Sequence, residues 1–466
     1  MTMKQTTRTG LLGSVSQLST RFAWIIPDAS TLSGFAGLAI MISGIIVSSP
    51  AISLQQAQTM MFFKNLDLII DRQEYCQKDY ELAEAKSAWY PSIDLFGSYA
   101  YQSKKNSISL PIRSPFFPSG PLEMGVKDRS DIGVELTYPV TAAIVNIFNV
   151  KSRQLALQTK SAQDLALRNQ LSFKLGTLYF LWNLSYSQMN VKKMLAAQFE
   201  ANVAQLANLQ AGGLSSASKV LEAKAGFENA KAQLVAEENR TDSLRLEMVN
   251  FIRCEDSAIV PEAYDFKGDS LAPEAFDTLS LNEYRPELAA LDLSIDQLIT
   301  YNDVLTGRKY PNLLLNAAYH YGRPELQMSN DPDFMGYAVA GVQIRFNLFD
   351  GNKIVSQEQQ TQQQIEILRN RKKQAINEFM NTIKSAKMQY MRAKRQKTAA
   401  QASLEAAVAV SKDVKNSLDA GLLTALDYQN ALMAQATAEL AVKQAEFMER
   451  TALLQVYFAV GKEIKF

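Results

Sequence analysis

The sequence predicts a mainly α-helical chain that also carries a membrane β-barrel element, with very long coiled-coil helices joined to four strands. Three observations predict this class: long stretches without proline, four segments of period-2 patterning, and matching motifs in the two halves.

The helices come first. No proline lies between Pro139 and Pro261, and none follows Pro332. Within the first span the glycines are Gly176, Gly212, Gly213 and Gly226. Spans without Pro and rich in Ala, Gln, Leu, Lys and Glu favour helix. Leu171, Leu175, Leu178, Trp182, Ser185 and Met189 step by fours and threes, as do Ile376, Phe379, Ile383, Ala386, Tyr390 and Ala393. The second series resumes at Ala400, Leu404, Ala407, Ser411, Val414 and Leu418. Such spacing is a coiled-coil seam sustained over several heptads. Helices over Ala142–Gln210 and Ile354–Ala420 would each extend ~100 Å.

The strands follow from period-2 patterning. Ile93, Leu95, Tyr99 and Tyr101 alternate with Ser92, Asp94, Phe96, Ser98 and Gln102, and Ile132, Val134, Leu136 and Tyr138 with Asp131, Gly133, Glu135 and Thr137. Leu313, Leu315, Ala317, Tyr319 and Tyr321 alternate with Asn312, Leu314, Asn316, Ala318 and His320, and Val342, Ile344, Phe346 and Leu348 with Gly341, Gln343, Arg345 and Asn347. Each segment runs about ten residues, the length a tilted strand needs to cross a bilayer. A half-buried soluble sheet would give the same alternation. Four strands cannot close a barrel, for which ~8 is the practical minimum. A sheet with a lipid-facing side must therefore be completed by other copies.

The halves repeat each other. Trp89-Tyr90-Pro91 is echoed by Lys309-Tyr310-Pro311, and Gly133-Val134-Glu135-Leu136 by Gly341-Val342-Gln343-Ile344. Gly213-Leu214 followed by Ala223 corresponds to Gly421-Leu422 followed by Ala431. Both halves read helix, strand, strand, very long helix, Gly-Leu turn, helix. The first strand-to-strand loop, with Pro111, Pro115, Pro118 and Pro121, resembles an external loop of a membrane hairpin. The organisation expected is a leader over 1–51, a first repeat over 52–252, a connector over 253–280 and a second repeat over 281–466. The leader reads as a secretory signal peptide: Lys4, Arg8 and Arg21, an apolar run from Phe35 to Val47, then Ser49 and Ala51 at the small-residue positions. That run is too short for a spanning helix, which needs ~20 apolar residues.

Composition limits the chemistry. Of 466 residues, Lys+Arg number 48 and Asp+Glu 47, giving a formal charge of +1. Phosphate binding needs a concentrated positive face, so nucleic acid is not an expected partner. One histidine and two cysteines are a poor stock for a metal site or a Cys/His nucleophile pair. No catalytic site, metal or cofactor is expected.

In order and spacing these residues resemble the TolC-type outer-membrane efflux proteins over nearly the whole mature chain. The matching elements are Leu54-Gln55-Gln56-Ala57, Trp89-Tyr90-Pro91, Arg285-Pro286-Glu287-Leu288, Phe346-Asn347-Leu348-Phe349-Asp350-Gly351 and the two Gly-Leu hairpins. The resemblance implies a homotrimer whose strands form a twelve-stranded barrel in the outer membrane, continued by a helical tube in the periplasm. It implies a passive exit duct for efflux or type I secretion, partnered by a periplasmic adaptor and an inner-membrane transporter. A periplasmic coiled-coil structural or adaptor protein would keep the helices but have no use for the strands.

The resemblance also places candidate residues. Gly213, Leu214, Gly421 and Leu422 mark hairpin tips that would dock the adaptor, although each leucine could equally staple its own hairpin. Gly213 and Gly421 can take the left-handed conformation that stops a helix. Asp427 fits the family's periplasmic gate and Asn430 departs from it, standing where a second acid is usual. Three copies of Asp427 would form an acidic ring at a constriction; the alternative is an acid favoured by its helix start. Lys219 and Glu222 are the first-repeat equivalents. The basic run from Arg369 to Lys397 reads as a wet helix face or a cationic lumen lining. His320 falls on the polar side of its strand. Counted along the helices, Cys76 and Cys254 lie ~20 Å apart, beyond the ~7 Å limit for a disulfide, so two free thiols are expected.

Overall fold

The computed structural model describes residues 51–108, 121–213, 215–254, 259–262, 285–323, 333–420 and 422–466. The leader, most of the proline-rich loop, Leu214, most of the connector and Gly421 lie outside the described residues.

Two families of helices dominate. The first half has α1 (Leu54–Lys64), α2 (Leu66–Ser87), α3 (Val140–Ala211) and α4 (Ala217–Ile252); the second has α5 (Pro286–Gly307), α6 (Lys353–Asp419) and α7 (Ala425–Val460). The internal duplication is visible in the lengths. Helices α2 and α5 each have 22 residues, α4 and α7 each 36, and α3 and α6 have 72 and 67. At 1.5 Å per residue the two longest rise ~100–110 Å. The seam positions point inward. Leu171, Leu175, Leu178, Trp182 and Ser185 are buried on α3, as are Ile383, Ala386, Ala393 and Ser411 on α6.

One four-stranded antiparallel sheet joins the halves in the order β2 (Ser92–Tyr101), β5 (Asp128–Pro139), β7 (Asn312–Arg323), β8 (Met335–Arg345). Strands β3 (Asn106–Ile108) and β4 (Leu122–Met124) extend the first hairpin beyond it. The fourth strand differs from its sequence expectation: it begins at Met335 and ends at Arg345, leaving Phe346 and Leu348 outside. The cause lies just downstream, where Gly351 (φ 67°) and Asn352 (φ 64°) both take left-handed backbone to turn the chain into α6. The other three strands cover their expected segments, with β5 starting three residues earlier.

The largest core sits midway along the helices, where α1, α3, α4 and α7 meet around Met61, Leu175, Trp182, Met248 and Leu454. A short parallel pairing of β1 (Ala51–Ile52) with β6 (Val260–Pro261) lies against it. The Tyr179 hydroxyl reaches the carbonyls of Ile52 and Glu262 at 2.9 and 2.8 Å. Arg285 closes a second core. Its side chain is 3% exposed, its guanidinium lies 3.9 Å from the Phe379 ring centroid and 5.8 Å from that of Phe458, and it pairs with Glu287 at 3.1 Å. It also donates to the carbonyl of Ala459, near the end of α7. Burial pulls its pKa down, while Glu287 opposes that pull.

Cys76 is exposed, Cys254 half-buried, and both are free.

Candidate functional site

The sheet has two chemically distinct faces. Pairing places Ile93 beside Leu136, Leu95 beside Val134, Val134 beside Tyr319, and Leu315 beside Val342. These apolar side chains share one face with Tyr99, Tyr101, Ile132, Tyr321 and Ile344, and they stand between 37% (Leu136, Leu315) and 76% (Leu95) exposed. A soluble monomer rarely shows so continuous an apolar surface. Trp89, Tyr90, Phe346 and Phe349, all exposed, cluster at the helix-to-strand junctions, where a membrane–water interface favours aromatic rings. No helix among the described residues is long and apolar enough to cross a membrane.

The opposite face is wet. It carries Asp94, Glu135, Asn316, Gln343 and Arg345 in neighbouring registers. Across its middle runs an aromatic row: Phe96 meets His320 edge-on at 5.1 Å, and His320 stacks on Tyr337 at 4.9 Å. Gly133 makes the row possible, because a Cβ there would lie 2.5 Å from Phe96 Cζ. His320 Nδ1 lies 2.9 Å from Asp131 Oδ2. Sequence reading placed His320 correctly on the polar face but found it no acidic partner, because Asp131 arrives from the adjacent strand, 189 residues away.

Strands β2 and β8 are unpaired on their outer sides among the described residues. In hydrocarbon such edges cost several kcal/mol per unsatisfied group. The sheet thus has one apolar face, one polar face and two open edges.

The other candidate region is the far end of the long helices. Gly213 has φ +75° with no atom crowding a Cβ position, so it does terminate α3 by a left-handed turn. Leu422 is 77% exposed, and Leu423, Leu426 and Leu221 are exposed with it. Leu214 and Gly421 fall outside the described residues. The two hairpins stand side by side: Val191, Leu195 and Phe199 of α3 and Ala230 of α4 pack with Leu432 and Ala436 of α7. Asp427 is exposed and serves a capping box at the start of α7. Its Oδ2 accepts from the Thr424 backbone N–H at 2.9 Å and hydroxyl at 2.6 Å, and its own N–H donates to Thr424 Oγ1 at 3.3 Å. Asn430, Lys219 and Glu222 are exposed. The basic run on α6 is partly paired, Arg369 with Glu366, Lys372 with Asp292 and Lys397 with Glu449.

Those hydrogen bonds from Thr424 hold the Asp427 carboxyl below its usual value. A depressed carboxylate pKa gives stability that is present above the unfolded value and lost as pH falls through the folded one. Protection of the 424–428 amides, relative to their intrinsic exchange rates, is therefore expected to hold at neutral pH and to fall only below the ordinary carboxylate range. A loss of protection centred near neutrality would contradict the capping role.

Among the described residues no group of three or more His, Cys, Asp or Glu could hold a metal ion.

Taken together, an open-edged sheet with one apolar and one polar face stands on paired helices that rise ~100 Å. The comparisons sharpen this. Residues 280–462 match the family model described as outer membrane efflux protein. No curated protein matches the chain. Among solved structures the chain is similar to the CmeC outer membrane channel of Campylobacter jejuni, with 14% identity and a TM-score of 0.72 over 88% of this chain and 86% of that one. It is also similar to the outer membrane protein VceC of Vibrio cholerae (14%, 0.67, 88% and 96%). The open state of the MtrE outer membrane channel of Neisseria gonorrhoeae gives 14%, 0.67, 88% and 89%. At these identities the likeness is one of fold. The fold is that of these outer-membrane channels.

Proposed function

We propose that the chain is one third of a homotrimeric exit duct for efflux or type I secretion, passive itself and loaded from an inner-membrane transporter through a periplasmic adaptor. The observation that carries the reading is the sheet with a lipid-facing side, a wet side and two open edges, which only further copies can complete. Three copies supply twelve strands, enough to enclose water. The helices then extend the duct ~100 Å below the membrane. A coiled-coil adaptor or structural protein would leave the exposed apolar sheet without purpose.

The tips support the partner assignment. Leu221 on the first helical hairpin and Leu422 and Leu426 on the second are exposed, apolar side chains suited to an amphipathic hairpin of an adaptor. Asp427 carries the gate reading. Three exposed carboxylates near the axis form a ring of negative charge, with Asn430 adding a neutral ring beside it. Asp427→Ala is expected to change single-channel conductance in planar bilayers and to lower cation-over-anion preference. Unchanged values would remove Asp427 from the gate and leave it a capping residue.

A further inference from the structure

The geometry points to a binding niche for a small organic anion in the duct wall, just below the barrel. A cavity of about 520 Å³ opens between α3 and α5, lined by Asn146, Asn149, Arg153, Tyr301, Arg308 and Tyr310, with Val145 and Val304 forming its apolar part. That volume lies in the range of small-molecule sites, and an apolar surface with a few convergent polar groups is their usual chemistry.

The register says which way it opens. Asn312, also on the lining, shares its sheet face with Asn316 and His320, opposite the lipid-facing belt. On α3 the niche residues Ala142, Val145, Asn149 and Arg153 occupy one side. The exposed Ile144, Ile147 and Phe148 fall on the other side at ~100° per residue, an apolar helix face that matches the outward strand positions Leu136 and Tyr138 in character. The niche therefore faces the duct interior, a statement that rests on the duct reading above. It also sits in the middle of the protomer's wall: α3 follows β5 and α5 precedes β7, the two inner strands. Neighbouring copies would join at β2 and β8, outside these two inner strands.

The polar groups are ordered before any ligand arrives. Asn146 Nδ2 donates to the Ala85 carbonyl at 2.6 Å, and Asn149 Nδ2 donates to Asn146 Oδ1 at 3.1 Å. Arg153 is held by Glu81 at 2.8 Å. The Thr141 hydroxyl clamps the mouth by donating to the Pro311 carbonyl at 2.8 Å and accepting from the Leu313 N–H at 3.0 Å. Arg308 has no side-chain partner among the described residues. Glu81 offsets Arg153, so the unpaired guanidinium of Arg308 leaves the niche cationic. A planar guanidinium fork matches a carboxylate or sulfonate; the rings of Tyr301 and Tyr310 beside Val145 and Val304 take an apolar body. The ligand class is thus a monoanion with a flat apolar body, met by cargo on its way out.

The test uses the assembled protein in planar bilayers with 8-anilinonaphthalene-1-sulfonate as probe. Wild-type channels are expected to show discrete current interruptions, their dwell time shortened about tenfold by Arg308→Gln, a loss equivalent to one good charged contact, and shortened also by Tyr301→Ala. Ethidium, a cation of comparable size, is expected to give no such interruptions. Open channels that ignore the probe, or dwell times equal in wild type and Arg308→Gln, would overturn the niche while leaving the duct intact. A protein that forms no pore defeats the duct reading instead. The niche is then judged by probe fluorescence on amphipol-held protein, where enhancement lost in Arg308→Gln supports it and equal enhancement overturns it.

Discussion

Replacing Arg285 with alanine is expected to destabilise the protein by about 2–5 kcal/mol, the range for truncating a large buried side chain to alanine, and to abolish its assembly. The side chain is 3% exposed and touches three elements at once: Glu287 on α5, Phe379 on α6, and both the Phe458 ring and the Ala459 carbonyl on α7. Its removal leaves Ala459 without its donor and opens a void between two aromatic rings. Filling the void without charge, as in Arg285→Met, is expected to recover part of the loss, because apolar replacement of a buried ion is often tolerated. Thermal unfolding of the purified variants measures both. An Arg285→Ala protein that assembles and melts like wild type would show that the α5–α6–α7 junction is held elsewhere.

The second large effect is expected at the sheet. Val134 lies near the middle of β5, paired with Leu95 on one side and Tyr319 on the other, and is 44% exposed. Val134→Arg places a guanidinium in hydrocarbon, costing roughly 2–4 kcal/mol near the bilayer midplane, and a threefold assembly incurs it three times. Outer-membrane insertion is expected to fail. Glu135→Lys, one residue along and on the wet face, is expected to insert normally and to shift ion selectivity alone. Equal insertion of both variants would mean that the two faces have been assigned to the wrong media.

Much of this architecture is readable in the chain because each element obeys one simple period. Helices α3 and α6 announce themselves through missing proline and through seams such as Leu171–Leu175–Leu178–Trp182, which the fold buries. The strands announce themselves through alternation, except where bulk comes from a neighbour. The start of β8 is hidden because Gly336, Ala338 and Ala340 carry little side chain on the outer face, and the Tyr319 ring from β7 covers Gly336 instead. Its end is overrun because Phe346 and Leu348 continue the apolar rhythm as interfacial anchors after the strand has stopped. Contacts between distant segments leave no local trace. The Asp131–His320 pair and the niche between Arg153 and Arg308 need the register β5–β7 before they exist. At the tips, the Gly213 turn is legible from residue type alone. The capping role of Asp427 needs Thr424 in place, and whether the same carboxylate also gates is a property of three chains, which no single sequence displays.

The central claim is that one chain supplies an incomplete wall and three complete it. Mass measurement of the native protein extracted from outer membranes, followed by bilayer recording of that same species, addresses it most directly. The account predicts three copies per particle and an ohmic, water-filled pore carried by that particle alone. A stable monomer without conductance, or a water-soluble form with its sheet face covered, would contradict it.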